Sequence, residues 1–199
     1  WVDSTILPNE NLIIELNSLK NGEALFKDST LIGFNSEKFT LEKLYHRKTS
    51  LDIQKLNYLS DIFLLNSSEI ISDFNFVKKK ENSVMERKML DIYGDKKNIY
   101  IHPEAKVRNA TLNCENGPIF IDKDCEIMES VNIRGPFSIN KSSVIKMGAK
   151  IYEGCSIGPF CKIGGELNNS VFFGYSSKSH DGFIGNSVIG EWCNLGADT

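Results

Sequence analysis

From Ile121 the apolar positions fall into a strict rhythm: isoleucine returns at Ile127, Ile133, Ile139, Ile145, Ile151, Ile157 and Ile163, each six residues after the last. An amphipathic helix needs spacings of three and four, and a half-buried strand alternates at two, so a sustained period of six belongs to neither. It is the pattern of a hexapeptide β-helix. Each hexad is a short strand plus a turn, three hexads close one triangular coil, and stacked coils pair their strands in parallel. The isoleucine points inward. The fourth residue after it also faces the interior and is usually small: here Cys125, Val131, Phe137, Ser143, Ala149, Cys155, Cys161 and Leu167.

The rhythm starts earlier, at Ile101 and Val107, with an irregular stretch around TLNCENGP, and it slips after Ile163. Val171, Phe183, Ile189 and Leu195 share a register offset by two residues, with Ser187, Cys193 and Thr199 at the small position. On that count FFGYSSKSHDG fills two hexads plus a two-residue insertion, lacks an inward residue at Ser177, and carries His180 on an extended loop.

The front half has other periods. PNENLIIELNSLKNG reads as a helix capped by Asn9, with Leu12, Ile13, Leu16 and Leu19 on one face and Asn21-Gly22 as its stop. ALFKDSTLIGF reads as a strand hairpin, and LNYLSDIFLLNSSEIISDF as one or two helices. The expected organisation is an α/β segment over residues 1–77, a polar connector over 78–98 and the β-helix over 99–199.

Composition narrows the class. The 199 residues carry a formal net charge of -3 and contain no apolar run near the roughly 18 residues that span a bilayer. No basic segment followed by a long apolar one opens the chain, so it reads as soluble and cytoplasmic, without a membrane partner. Mild acidity offers no broad basic surface for a nucleic-acid backbone, and the run Lys78-Lys79-Lys80 reads as a solvated face. Five cysteines without a CxxC pair argue against a zinc site and a disulfide framework; three of them fall on the small inward position, where an unpaired thiol packs as an apolar group. The chain opens on Trp1 rather than Met and stops in mid-rhythm at Thr199, so it reads as a piece of a longer protein.

No GxGxxG or P-loop is present, and His46 has no catalytic companion nearby in sequence. His180, flanked by Lys178, Asp181 and Gly182, is either a solvated loop histidine or a functional group held by rigid coils. Spacing alone leaves both open. A three-histidine zinc hydratase on this scaffold fits poorly, because only His102 and His180 lie in the repeat and no His-x4-His pair occurs; no metal ligand is assigned.

The segment SHDGFIGNSVIGEWCNLGADT resembles the acetyltransferase site of the bifunctional enzymes that make UDP-N-acetylglucosamine, the GlmU family. IFIDKDCEIMESVNIRGPF, VIKMGAKIYEGCSIGPFCKIGGELNNSV and the front segment LPNENLIIELNSLKNGEALF are similar to the Bacteroidetes-type branch of that family. The resemblance implies a left-handed parallel β-helix, trimeric, with an acetyl-CoA site between subunits, preceded by the α/β rear part of a sugar nucleotidyltransferase that uses Mg²⁺. His180 is then the general base that takes a proton from the 2-amino group of glucosamine 1-phosphate, a task suited to the side chain that changes charge near neutral pH.

Residue by residue, the resemblance gives Asn194 a role in placing the sugar and the base, and Ala197 a backbone N–H for the thioester carbonyl. Phe183 stands where the family has a tyrosine on the sugar phosphate, Asn168 and Asn169 where it has lysines, and Gly164 near an arginine, which leaves Lys162 and Lys178 as the candidate cations. Asp198 replaces a glycine, and Asn66 falls near a second metal position that an N-cap explains equally well. The alternative function is a sugar-1-phosphate nucleotidyltransferase whose β-helix serves only as a trimerisation scaffold.

Overall fold

The computed structural model describes residues 1–40, 44–78 and 90–197, and of Lys78 the backbone alone. Lys79 and Lys80 of the lysine run, residues 81–89 of the connector, Asp198 and Thr199 lie outside the described residues. Two compact units are present, Trp1–Tyr58 and Leu59–Thr199.

In the first unit the helix α1, Glu10–Asn17, begins where Asn9 accepts a hydrogen bond from the Leu12 N–H at 2.9 Å. Leu12 and Leu19 are buried with Ile6, Leu25 and Ile32, whereas Ile13 is 43% exposed and leaves the expected apolar face. The expected hairpin forms from Glu23–Lys27 and Thr30–Asn35, and Tyr45–Lys48 adds to it in parallel. His46 stacks on Phe26 at 4.4 Å between ring centroids.

The second unit is a β-helix with three faces of parallel strands. The first face runs upward through Asp91–Tyr93, Thr111–Asn113, Asn132–Arg134, Lys150–Ile151 and the starts of Glu166–Phe172 and Phe183–Ile189. The second runs through Ile99–Ile101, Ile119–Ile121, Phe137–Ile139, Cys155–Ile157 and the ends of the same two long strands. The third runs through Lys106–Val107, Glu126–Ile127, Val144–Ile145, Lys162–Ile163, Ser177–Lys178 and a bridge to Asn194.

Every isoleucine of the series from Ile121 to Ile163 is at most 2% exposed, and so are the eight residues expected at the small position from Cys125 to Leu167, whereas Cys193, expected there too, is exposed. Burying each isoleucine contributes about 1.5–3 kcal/mol, so this column dominates the stability of the unit. Four cysteines are buried unpaired, as expected of core residues. Burial pushes the Cys125 thiol up to about 11 and Cys155 to about 12.

Above Ile163 the register differs from the sequence reading. Leu167 pairs with Ile151, Phe172 with Ile157, Lys178 with Ile163, Ile184 with Leu167 and Ile189 with Phe172. The inward residues are therefore Phe172 and Ile184, while Phe183 is 57% exposed; Leu167 sits in the large column rather than at a small position. The cause is two short corners: Gly164-Gly165 turns the third face into the first so tightly that Leu167 follows Ile163 after four residues, and the edge between the first and second faces brings Phe172 five after Leu167. There the strands Glu166–Phe172 and Phe183–Ile189 continue around the corner through Asn169 and Asn186, at φ of 45° and 48°. Asparagine tolerates this left-handed conformation, and the two side chains pair at 2.8 Å.

Asp61–Lys78, α2, lies on the second face. Asn66 donates to the Gly154 carbonyl at 2.7 Å and accepts from the Ser156 hydroxyl at 2.8 Å, so it anchors the helix to the coil. At the edge between the second and third faces, Phe160, Tyr175 and Trp192 take positive φ in successive coils and stack, with centroids 5.2 and 4.6 Å apart. The stack offsets a conformation that costs a side chain about 1–2 kcal/mol per residue.

Candidate active site

With the register settled, His180 is not on an inserted loop. Lys178 and Ile184 are consecutive inward residues six positions apart, an ordinary hexad, so His180 and Asp181 form the corner where the third face turns into the first. Two short corners elsewhere had displaced the count. Both side chains are exposed.

The corner is packed tightly on the coil beneath it. Gly164 donates to the Lys178 carbonyl at 2.6 Å and Glu166 to the Gly182 carbonyl at 2.9 Å. A Cβ on Gly164 would stand 2.5 Å from the Ser179 carbonyl oxygen, and one on Gly165 2.5 Å from that of Gly182. The Gly164-Gly165 pair therefore exists to seat the turn above it, and a side chain in place of Gly164 has no room.

Most of the candidate residues converge on this edge. The bridge between Ser177 and Asn194, with the Leu195 N–H on the Ser177 carbonyl at 2.9 Å, starts the next coil up, and Ala197 follows two residues after Leu195. Lys162, Ser177 and Asn194 stack on the third face beside the edge, and Phe183 stands on the first face just beyond it. Coils rise by about 4.8 Å, so these groups border a strip one small ligand wide. The Ser177 and Ser179 hydroxyls hydrogen-bond to each other at 2.8 Å.

Lys178 is the exception. It takes the inward place in its hexad, opposite Ile163, and is fully buried. Its Nζ donates to the carbonyl oxygens of His180 at 2.6 Å and Asp181 at 2.8 Å, so it holds the turn from inside and presents no surface to a ligand. Asn169 is likewise committed to its corner, and Asn66 to Gly154 and Ser156.

One cation on this edge escaped the sequence reading. Lys146, Gly164 and Ser179 each follow an inward residue of the third face in successive coils, and the Lys146 Cβ lies 3.4 Å from where a Gly164 Cβ would be. Its signal in the sequence was the hexad position, visible only once the coils are aligned. Two other cations occupy a cleft of about 520 Å³ on the lower first face, where Arg134 faces Glu153 at 3.9 Å and Lys150 faces Glu166 at 3.6 Å. Among the described residues no group of three or more His, Cys, Asp or Glu is arranged to hold a metal ion, and no helix is long and apolar enough to cross a membrane.

Residues 1–82 match the family model described as sugar nucleotidyl transferase. A stretch of 110 residues, 51% of the chain, is 27% identical to the bifunctional protein GlmU of Thermodesulfovibrio yellowstonii. The match spans 24% of that protein's length. The chain is thus similar to GlmU-like transferases of sugar-nucleotide metabolism; the Bacteroidetes branch is a narrower statement than either match makes.

Proposed function

We propose that the His180 edge is one wall of an acetyl-transfer site and that the chain is part of a cytoplasmic, trimeric enzyme that N-acetylates glucosamine 1-phosphate from acetyl-CoA. In the intact protein this step is linked to UDP-N-acetylglucosamine formation by a Mg²⁺-dependent nucleotidyltransferase half. The observation that carries the reading is the exposed His180 corner itself, set between Ser177, which bridges Asn194 on the third face, and Phe183 at the start of the first. A left-handed coil and a neighbouring subunit that closes the strip belong to the same proposal.

His180 takes a proton from the sugar ammonium, and the freed amine attacks the thioester carbonyl. The Ala197 N–H meets the oxyanion as the tetrahedral centre forms. Collapse breaks the C–S bond; the new amide nitrogen gives up its extra proton, the departing CoA thiolate takes one up, and His180 returns the first proton to solvent. Asn194 and Lys162 border the acceptor from the third face and Phe183 from the first, while Lys146 offers the phosphate a cation that Asn169 and Gly164 do not. Holding amine and thioester in line supplies much of the rate. For Mg²⁺ the described residues offer no fitting set, since Asn66 is spent on the helix anchor, and no step is routed through the metal.

The test is release of CoA thiol by the full-length parent protein with acetyl-CoA and glucosamine 1-phosphate, run beside His180→Ala. Turnover that falls at least about a hundredfold in the mutant supports a general base. A folded wild type that is silent over a panel of amino-sugar phosphates defeats the reading. The match of residues 1–82 to a nucleotidyl transferase model favours one second reading, in which the β-helix only assembles that activity.

A further inference from the structure

A lysine inside a β-helix prism is a costly choice. The inward column otherwise consists of aliphatic and aromatic side chains, and burying a polar head without partners costs several kcal/mol. At Lys178 the cost is met by two carbonyl oxygens, and both belong to the turn that carries His180. An isoleucine in that place would fill the prism as Ile163 does one coil below, but it would leave those carbonyls without a donor on their inner side.

The geometry points to Lys178 as a positioning residue: its buried amino group ties the carbonyls of His180 and Asp181 to the core and so sets where the imidazole stands. The hydrogen bonds that seat the turn on the coil beneath it fall on its ends and not on His180 or Asp181. His180 and Asp181 are exposed, and the neighbouring backbone contacts run through Gly182 to Glu166 and from Gly164 to Lys178 itself. Two hydrogen bonds from one internal nitrogen, 2.6 and 2.8 Å long, fix the two central residues of a four-residue corner. The catalytic half of this inference rests on the reading of His180 as the base; the structural half does not.

The test uses the full-length protein with Lys178→Met, which keeps length and apolar bulk and removes the donor, beside Ile163→Met as an equally buried control. Hydrogen exchange of the Glu166 amide, which donates to the Gly182 carbonyl of the turn, is expected to accelerate about tenfold or more in Lys178→Met and to stay unchanged in the control, with trimer and melting temperature retained. Acetyl transfer is expected to lose kcat about tenfold or more at unchanged KM for acetyl-CoA. Should the methionine variant fail to assemble, Lys178→Gln, with one donor on a shorter arm, is read in the same way. Unchanged exchange of the Glu166 amide in a folded variant overturns the proposal. Accelerated exchange in a protein whose wild type transfers no acetyl group upholds the positioning of the turn and removes only the base.

Discussion

Lys178 lies directly above Ile163 in the inward column, paired with it across parallel strands, and both are fully buried. The same place in two successive hexads thus holds an aliphatic side chain that serves the core and a lysine that serves the surface turn. The turn above that lysine carries an exposed imidazole.

If Lys146 supplies the cation that the edge otherwise lacks, its removal weakens the acceptor and not the donor. Lys146→Ala in the full-length protein is expected to raise KM for glucosamine 1-phosphate about tenfold to a hundredfold, the loss of one or two charge-assisted hydrogen bonds, at unchanged KM for acetyl-CoA. Steady-state kinetics with each substrate varied in turn decides it. An equal rise in both constants points instead to a disturbed corner.

The β-helix was legible because its signal is redundant: eight isoleucines at a period of six survive any single error, and all eight are buried. The register above Ile163 was not, because the tight Gly164-Gly165 corner and the strand that rounds its corner at Asn169 each shorten the count before His180 is reached. Counting placed Phe183 inward and His180 on an insertion; pairing places Ile184 inward and His180 on an ordinary corner. His180, Asn194 and Ala197 take their proposed roles from resemblance, which does not depend on register. Lys146 and the internal role of Lys178 needed the stacked coils, since nothing in the linear sequence separates an inward lysine from an outward one.

The cysteines give a count that depends on the fold alone. Cys114, Cys125, Cys155 and Cys161 are buried and Cys193 is exposed, so a thiol reagent at pH 8 is expected to modify one cysteine rapidly in the native 199-residue chain and five in denaturant. Burial raises the folded values of Cys125 and Cys155 above the ordinary 9.0, to about 11 and about 12. A raised folded value means stability that is complete below pH 9 and lost as pH climbs toward 12. Cys155→Ala is expected to flatten that alkaline decline in a denaturation series.

Asn66 is the polar link between α2 and the coil. Asn66→Leu removes a donor from Gly154 and an acceptor from Ser156 where little water can replace them, at an expected cost of about 1–3 kcal/mol. Ser156→Ala removes one bond only and should cost less. A double-mutant cycle in urea separates the shared bond from the rest; additive losses would show that the Ser156–Asn66 contact contributes nothing.

The same helix carries a built-in conflict. Glu69 and Asp73 border a cavity of about 290 Å³ against the second face, whose described lining also includes Asp122 and no lysine or arginine. Burial raises both carboxyls above their ordinary values, and the Asp73 charge raises Glu69 further. For a carboxyl raised by folding, the stabilising contribution is fully present below the unfolded value, 4.5 for Glu69 and 3.8 for Asp73, and is lost as pH rises through the folded one. The docked helix is therefore expected to hold more tightly in mild acid than at neutral pH, opposite to a carboxylate secured by a salt bridge. Asp73→Asn removes one charge and relieves its neighbour, so it should raise the melting temperature at pH 7 and leave it little changed near pH 4. A melting series across that range checks the sign, and a wild type whose α2 amides exchange faster in acid, after correction for intrinsic rates, contradicts it.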